Sequence, residues 1–383
     1  MKIALTTRGY DKRGGISRYV SELAEHFALD HEVHVYTPYW RDVGNKDVIF
    51  HKVPTLPGPL VINSIPFTIQ NTLRFKIFGS RYDITHINGG DSLCQDIITA
   101  HSIHKAGIEF RKNNKQLKGL GFHDLYAMVT ENINYSHRNY RKIICDSNSS
   151  KQELMDFYQV PSEDIEVIPV GVNPDEFKPL DRQSLQDLRD KYKIARGDKV
   201  LLIVATEFYR KGITELIQAV NILVYKHRFG NLKLLIVGKA QVEGSRKGDA
   251  VYRILAKKLG VSKNIVFTGM VKDLNEHYNL ADIFVFPTKY EAFGIPTLEA
   301  MSCGLPVINS KIGSGELITH GYDGIHFNDP NSVDEIVDKI EMLLTDENMR
   351  LKFGTNARKT AMKYSWDKIA DRTMEVYKKV LNN

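Results

Sequence analysis

Four ionisable side chains in the second half of the chain have the types and spacing to hold a diphosphate and a ribose: Arg210, Lys211, Glu291 and Glu299. Arg210-Lys211-Gly212 follows the apolar run Val200–Ala205, which reads as a strand. Two adjacent cations at a strand's carboxyl end suit a diphosphate that gains charge as its bond to carbon breaks. Glu291 falls in the loop after a strand ending near Phe286, and Gly294 followed by Pro296 starts a helix that Gly304 ends. Amides of Gly294 and its neighbours at such a helix start point towards any bound phosphate. Glu299 lies about one turn further on, where its carboxylate can accept bonds from a ribose diol. Taken singly, these residues read equally as a solvated Arg-Lys pair, a loop glutamate and a first-turn glutamate favoured by the helix dipole. Their combination with the Gly-Ile-Pro entry and the Gly-Leu-Pro-Val exit argues for a site.

The first half offers weaker signals. Gly14 and Gly15 lie between a first strand and a helical pattern, where they let the backbone approach a ligand or simply make a turn. His101 follows the apolar run Ile97–Ala100 and begins His-Ser-Ile-His104, while His86 sits inside another strand pattern. Two histidines at this spacing raise a metal reading, but nothing nearby completes a ligand set, and no Asp-x-Asp motif stands at a recognisable donor position. No metal and no cofactor are expected.

Glu291-Ala-Phe-Gly-Ile-Pro-Thr-Leu-Glu299-Ala-Met-Ser-Cys-Gly-Leu-Pro-Val resembles the Glu-x7-Glu signature of the family 4 retaining glycosyltransferases of the GT-B fold. The resemblance extends over nearly the whole chain, through Arg13-Gly-Gly-Ile, Cys145-Asp-Ser-Asn-Ser, Ile168-Pro-Val-Gly-Val-Asn and Phe267-Thr-Gly…Tyr278-Asn-Leu-Ala-Asp282. It implies that a nucleoside diphosphate sugar donates a glycosyl unit to a glycan or lipid-linked acceptor with retention of configuration. It further implies that Glu299 binds the donor ribose, that Glu291 and His101 lie beside the donor sugar, and that Phe293, Gly294 and Ile295 approach sugar and phosphate through their main chain. Gly14 and Gly15 match the family's glycine loop. Many members carry the arginine several residues before the lysine in a Gly-Arg-Leu pattern. Here Ala205-Thr-Glu stands in that place and Arg210 adjoins Lys211, as in a lipopolysaccharide-core branch with a similar Phe-x-Arg-Lys-Gly arrangement. Two other readings would use the same contacts: a sugar-nucleotide epimerase or phosphorylase on the same fold, and a non-catalytic sugar-nucleotide-binding subunit. The Glu-x7-Glu stretch argues against the first, the intact candidate residues against the second.

The elements that must position these residues follow from periodicity. At 383 residues the chain exceeds what one core supports, which predicts two domains. Short apolar runs alternating with amphipathic patterns predict an α/β protein of two Rossmann-like domains, with parallel sheets facing across a cleft. The strands expected are Lys2–Thr6, Glu32–Tyr36, Ile84–Ile87, Asp96–Ala100 and Lys142–Cys145, then Val200–Ala205, Lys233–Val237, Ile265–Phe267, Ile283–Phe286 and Pro306–Asn309. Ser17–Ala28 and Thr214–Lys226 read as helices. The domains are placed at 1–170 for the acceptor and 171–363 for the sugar nucleotide, with a helix at 364–383 returning to the first.

Composition is that of an ordinary globular protein, 42% apolar and 26% charged with a net charge of +6. Cys94, Cys145 and Cys303 are too sparse for a disulfide framework and suit a reducing, cytoplasmic setting. The apolar run before Arg8 is too short for a signal peptide. The charge-free stretch Val53–Leu73 carries Pro54, Pro57, Pro59 and Pro66 and is not expected to span a bilayer. Between Lys105 and Lys142 stand eight Lys/Arg against three Asp/Glu, an excess of +5 interleaved with Phe110, Phe122 and Tyr126. That region reads as a solvated helix face or as a surface for peripheral contact with an anionic membrane. Nucleic acid is not an expected partner.

Overall fold

A computed structural model describes residues 1–55, 60–117, 119–240 and 248–382; Pro57, Pro59 and Lys118 lie outside them. The chain divides into two compact units, one of Met1–Gly171 with the segment from Trp366 onward, the other of Val172–Ser365.

The first unit is built on seven parallel strands: β1 (Lys2–Thr6), β2 (Glu32–Thr37), β3 (Ile49–Lys52), β4 (Ile84–Asn88), β5 (Ile97–Ala100), β6 (Lys142–Cys145) and β7 (Ile165–Val167). Their order across the sheet is β3-β2-β1-β4-β5-β6-β7. The helix Gly15–Phe27 turns Tyr19, Val20, Leu23, Ala24 and Phe27 inward at helical spacing. The C-terminal helix Trp366–Asn382 packs beside it, with the Phe27 and Tyr377 rings 5.4 Å apart. Gly171 has no side chain because the Trp366 indole occupies the place, 2.6 Å from where a Cβ would stand. The Tyr377 hydroxyl meets His86 Nδ1 at 2.5 Å, and His86 Nε2 meets Thr99 Oγ1 at 2.7 Å. Burial, and next the charge of His101, push the His86 imidazole down to about 3, so it is a neutral core residue.

The second unit holds six parallel strands: β8 (Lys199–Val204), β9 (Leu232–Val237), β10 (Ile265–Gly269), β11 (Ile283–Phe286), β12 (Val307–Ser310) and β13 (Gly324–Phe327). Their order is β10-β9-β8-β11-β12-β13. Val200, Leu201, Leu202 and Ile203 are all fully buried, as a parallel strand covered on both faces requires. The helix Ile213–Tyr225 buries Ile213, Leu216, Ile217, Val220 and Leu223. The start of β11 is pinned to β8, since the Val200 amide donates to the Asp282 carboxylate at 2.8 Å.

The ten expected strands are present, three with the expected ends and the others with ends shifted by one or two residues. Asp96 stands outside β5 because its carboxylate takes the Thr85 amide and hydroxyl at 2.9 and 2.7 Å. The edge strands β3, β7 and β13 escaped the sequence reading: they are three or four residues long, and β3 and β13 carry a histidine or lysine in place of an apolar run. Among the described residues no helix is long and apolar enough to cross a membrane.

In each sheet the order reverses once, between β1 and β4 and between β8 and β11. Loops leaving the carboxyl ends of the two strands at a reversal diverge and leave a crevice. The loop after β8 turns through Gly212, whose φ of +71° is left-handed. A Cβ there would stand 2.4 Å from the Pro287 carbonyl, at the mouth of β11. Gly212→Ala is therefore expected to cost about 1–3 kcal/mol of stability, through backbone strain and displacement of the β11 loop. Urea denaturation of the full chain measures it; an unchanged midpoint would show that the two loops are not locked together.

Candidate active site

Arg210 and Lys211 end the loop after β8, and Glu291 lies in the loop after β11, so the reversal brings together residues 80 positions apart. The Lys211 ammonium donates to Glu291 Oε2 and lies 4.8 Å over the Phe286 ring. Both side chains are over 90% buried. Burial, and next the charge of Arg210, push the Lys211 ammonium well below its ordinary range, with Glu207 opposing. Arg210 stands 3.6 Å from Glu291 Oε1, donates to Glu207 Oε1 at 2.8 Å and to the Tyr290 carbonyl at 3.0 Å. Its Nε is buried with no acceptor among the described residues. The two loops are also tied directly, Lys289 N donating to the Arg210 carbonyl at 2.8 Å. The Lys289 ammonium reaches Glu215 at 2.7 Å.

Gly294 precedes the helix Ile295–Ser302 with a φ of +86°, and Pro296 occupies its first turn. The first amides of this helix, beginning at Ile295, lack acceptors within the helix. The loop is held from β12: Ser314 N donates to the Phe293 carbonyl, and Ser314 Oγ to the Gly294 carbonyl at 2.8 Å. Phe293 is buried and its carbonyl thus engaged, while Gly294 and Ile295 remain partly exposed. Gly313, at a φ of +58°, has the Phe293 carbonyl 2.4 Å from where its Cβ would stand. Glu299, one turn into the helix, is buried and accepts the Tyr278 hydroxyl at 2.7 Å on Oε2.

The remaining sequence candidates lie in the first unit. His101 follows β5, its Nε2 at 2.9 Å from Asn88 Oδ1 and its Nδ1 at 3.0 Å from Asp146 Oδ2, with Tyr19 edge-on. Both ring nitrogens are thereby held, which fixes the ring's orientation. Gly14 caps the helix that Gly15 begins, and its amide, like that of Arg13, donates to Asp11 Oδ1, at 3.3 and 2.9 Å. Asp11 also takes Arg41 at 2.8 Å, so the glycine loop is closed internally by a carboxylate. His104, His123 and Asp124 come within 4.8 Å, but Asp124 is engaged by His104, Arg111 and the Gly121 amide. The basic stretch is not one uniform face. Arg111 is paired with Asp124, the Lys105 ammonium sits 5.1 Å over the Tyr158 ring, and Lys112, Lys115 and Arg138 are exposed.

The Glycosyltransferase Family 4 profile matches residues 13–176 and the Glycosyl transferases group 1 profile matches residues 185–360. An uncharacterized glycosyltransferase of Methanocaldococcus jannaschii is 30% identical over 99% of this chain and 98% of its own length. The chain is a family 4 glycosyltransferase. The lipopolysaccharide glucosyltransferase WaaG of Escherichia coli K12 is 31% identical to this glycosyltransferase over 54% of each chain, about half the length of that enzyme. The crystal structure of Anabaena HepE in complex with UDP and glucose superposes with a TM-score of 0.76 at 18% identity, covering 98% and 99% of the two chains. The α/β two-domain GT-B fold expected from the sequence is thereby shown.

Several residues of the glycosyltransferase's candidate site were not singled out from sequence: Glu207, Tyr278, Ser314, Asn88, Asp146 and Asp11. Asp146 and Tyr278 stood in quoted family segments, and Gly313-Ser-Gly315 follows a strand, a signal that could have been read. Glu207 and Asp11 act within three residues of Arg210 and Gly14, whereas the contact of Asn88 with His101 depends on strand order. A buried cation stripped of its carboxylate is poorly compensated, so Lys211→Met or Glu291→Leu alone is expected to destabilise the protein by about 3 kcal/mol. The double variant is expected to recover much of that loss. Chemical denaturation in a double-mutant cycle tests it; strictly additive losses would mean that the pair is not coupled.

Proposed function

We propose that this glycosyltransferase takes a sugar from a nucleoside diphosphate and passes it, with retention of anomeric configuration and without a metal ion, to a glycan or lipid-linked acceptor. The observation that carries this reading is the Lys211–Glu291 pair with Arg210 at the β8/β11 reversal, beside the start of the helix Ile295–Ser302. Arg210 Nε, buried without an acceptor, is a donor that a phosphate oxygen would satisfy. HepE, of the same fold, holds UDP and glucose, and WaaG is a glucosyltransferase of lipopolysaccharide, which supports a nucleotide donor and a glycolipid-type acceptor.

In this reading the bond from the anomeric carbon to the diphosphate oxygen breaks as the acceptor oxygen bonds to that carbon on the same face. The acceptor's proton passes to the departing phosphate. Arg210, Lys211 and the helix amides stabilise the charge that grows on the diphosphate, replacing a divalent ion. Glu299 holds the ribose in ground and transition states alike. Glu291, released from Lys211 as phosphate takes over the ammonium, faces the sugar.

In the presence of a chelator, a nucleoside diphosphate is expected to raise the melting temperature of the wild type and not that of Lys211→Ala, since a ligand of the folded state alone stabilises it. In donor kinetics Glu299→Gln is expected to raise KM about tenfold with kcat nearly unchanged, the loss of one charge-assisted hydrogen bond. Glu291→Gln and Lys211→Ala are expected to lower kcat about a hundredfold. Activity that vanishes with chelator and returns with magnesium would defeat the metal-free part, and full kcat in both variants would move the site elsewhere.

A second proposal concerns the membrane. Phe122, Leu125 and Val129 are exposed on one side of the helix Phe122–Glu131, beside the exposed Lys112 and Lys115, which suits shallow contact with an anionic bilayer. Binding to anionic vesicles is expected to fall as salt rises; equal binding to neutral vesicles at every salt concentration would remove the proposal.

A further inference from the structure

Two glycines after β12 stand where no side chain fits. A Cβ on Gly313 would run into the Phe293 carbonyl and lie 3.0 Å from Glu291 Cγ, and a Cβ on Gly315 would run into the Ser310 carbonyl. The tight turn Gly313–Leu317 is thereby wedged between the end of β12 and the loop that carries Glu291 and Gly294. Between the two glycines, Ser314 is 1% exposed and holds consecutive carbonyls of that loop, Phe293 with its amide and Gly294 with its hydroxyl.

What fixes the wedge comes from the edge strand β13. His326 stands opposite Asn309 of β12. Cross-strand partners share a face, here the one on which Asn309 Nδ2 donates to Thr297 Oγ1 at 2.9 Å, in the first turn of the helix Ile295–Ser302. From that face His326 Nε2 reaches the Gly315 carbonyl at 2.9 Å. A carbonyl only accepts, so Nε2 carries the proton. Burial, opposed first by the bond to Gly315, holds the imidazole below its ordinary range and keeps the ring neutral. His320 steadies it: the two rings lie 5.7 Å apart and nearly parallel, and His320 Nδ1 accepts the His326 amide at 3.0 Å.

The strand itself does not require this side-chain bond. Residues Gly324–Phe327 of β13 are already in register with β12 through the main chain. The imidazole N–H is aimed instead at the turn, one residue from Ser314. Contacts therefore run from His326 through Gly315 and Ser314 to Phe293 and Gly294, the segment from which the free amides of the helix start follow.

We propose that His326 is a positioning residue for the donor nucleotide: it fixes the Gly313–Leu317 turn and, through Ser314, sets the Phe293–Ile295 segment where the helix amides meet the diphosphate. It touches no substrate. Hydrogen bonds weaken steeply with distance and angle, so a segment left free to shift loses affinity for phosphate while the sheet stays folded. The proposal rests on the nucleotide-donor reading above and adds to it a residue from the edge of the sheet.

The test is thermal-shift titration of the full chain with UDP, ADP and GDP in the presence of a chelator; the nucleotide that shifts the wild type at the lowest concentration is then carried through the variants. His326→Phe keeps a ring and loses the donor, His326→Gln returns an N–H at similar reach, and Ser314→Ala removes the hydroxyl on Gly294. His326→Phe and Ser314→Ala are each expected to weaken nucleotide binding about fivefold, the loss of one hydrogen bond's worth of order. His326→Gln is expected to stay within about twofold of the wild type. Because both residues act through one turn, the double variant is expected to fall well short of the roughly twenty-five-fold loss that independent effects would give. Should His326→Phe fail to fold, His326→Leu, smaller and equally without a donor, takes its place. The proposal is overturned if the donorless variant binds nucleotide as the wild type does, even with a lowered melting temperature, since the role is then structural alone. It is equally overturned if His326→Gln restores nothing, if Ser314→Ala has no effect, or if the two losses multiply in full. Failure of the donor reading looks different: none of the three nucleotides then shifts the wild type.

Discussion

A charged group taken out of water must be met by an opposite charge or by hydrogen bonds, and the architecture of the second unit follows from that requirement at Lys211. The ammonium is buried beside Phe286 and its partner Glu291 comes from the next strand's loop. The two loops leave the carboxyl ends of β8 and β11, the neighbouring strands at which the order of the sheet reverses. The close fit of Gly212 against Pro287, and the Lys289 amide on the Arg210 carbonyl, hold the two loops at the spacing the ion pair needs.

The groups assigned to ligands already have partners inside the protein. Lys211 has Glu291, Glu299 has Tyr278, and the Gly14 amide has Asp11. A ligand entering such sites exchanges hydrogen bonds rather than adding them, so its net gain depends on how well it matches the partner it replaces. A diphosphate can outbid one carboxylate for Lys211 and Arg210 together, since it offers more charge and more acceptor oxygens. Glu299 is held on Oε2 by the Tyr278 phenol, which fixes the carboxylate one turn into its helix.

What the sequence by itself determined is what the chain fixes locally. The strand, the Glu291 loop, the left-handed Gly294 and the Pro296 helix start were legible because each depends on neighbours within a few residues. The α/β class and ten of the strands were legible because buried parallel strands are continuous apolar runs, and the long Glu-x7-Glu stretch pointed to the family. The edge strands β3, β7 and β13 were not, because they are three or four residues long and β3 and β13 interrupt the apolar run with a histidine or lysine. Only the tertiary structure decided which side chain meets which across the chain: that Lys211 pairs with Glu291 80 residues on, that Tyr278 holds Glu299 and that Asp146 and Asn88 hold His101. The Lys211 and His101 pairings are set by the order of strands in each sheet, and strand order is a property of the whole packed layer that no local stretch of sequence encodes.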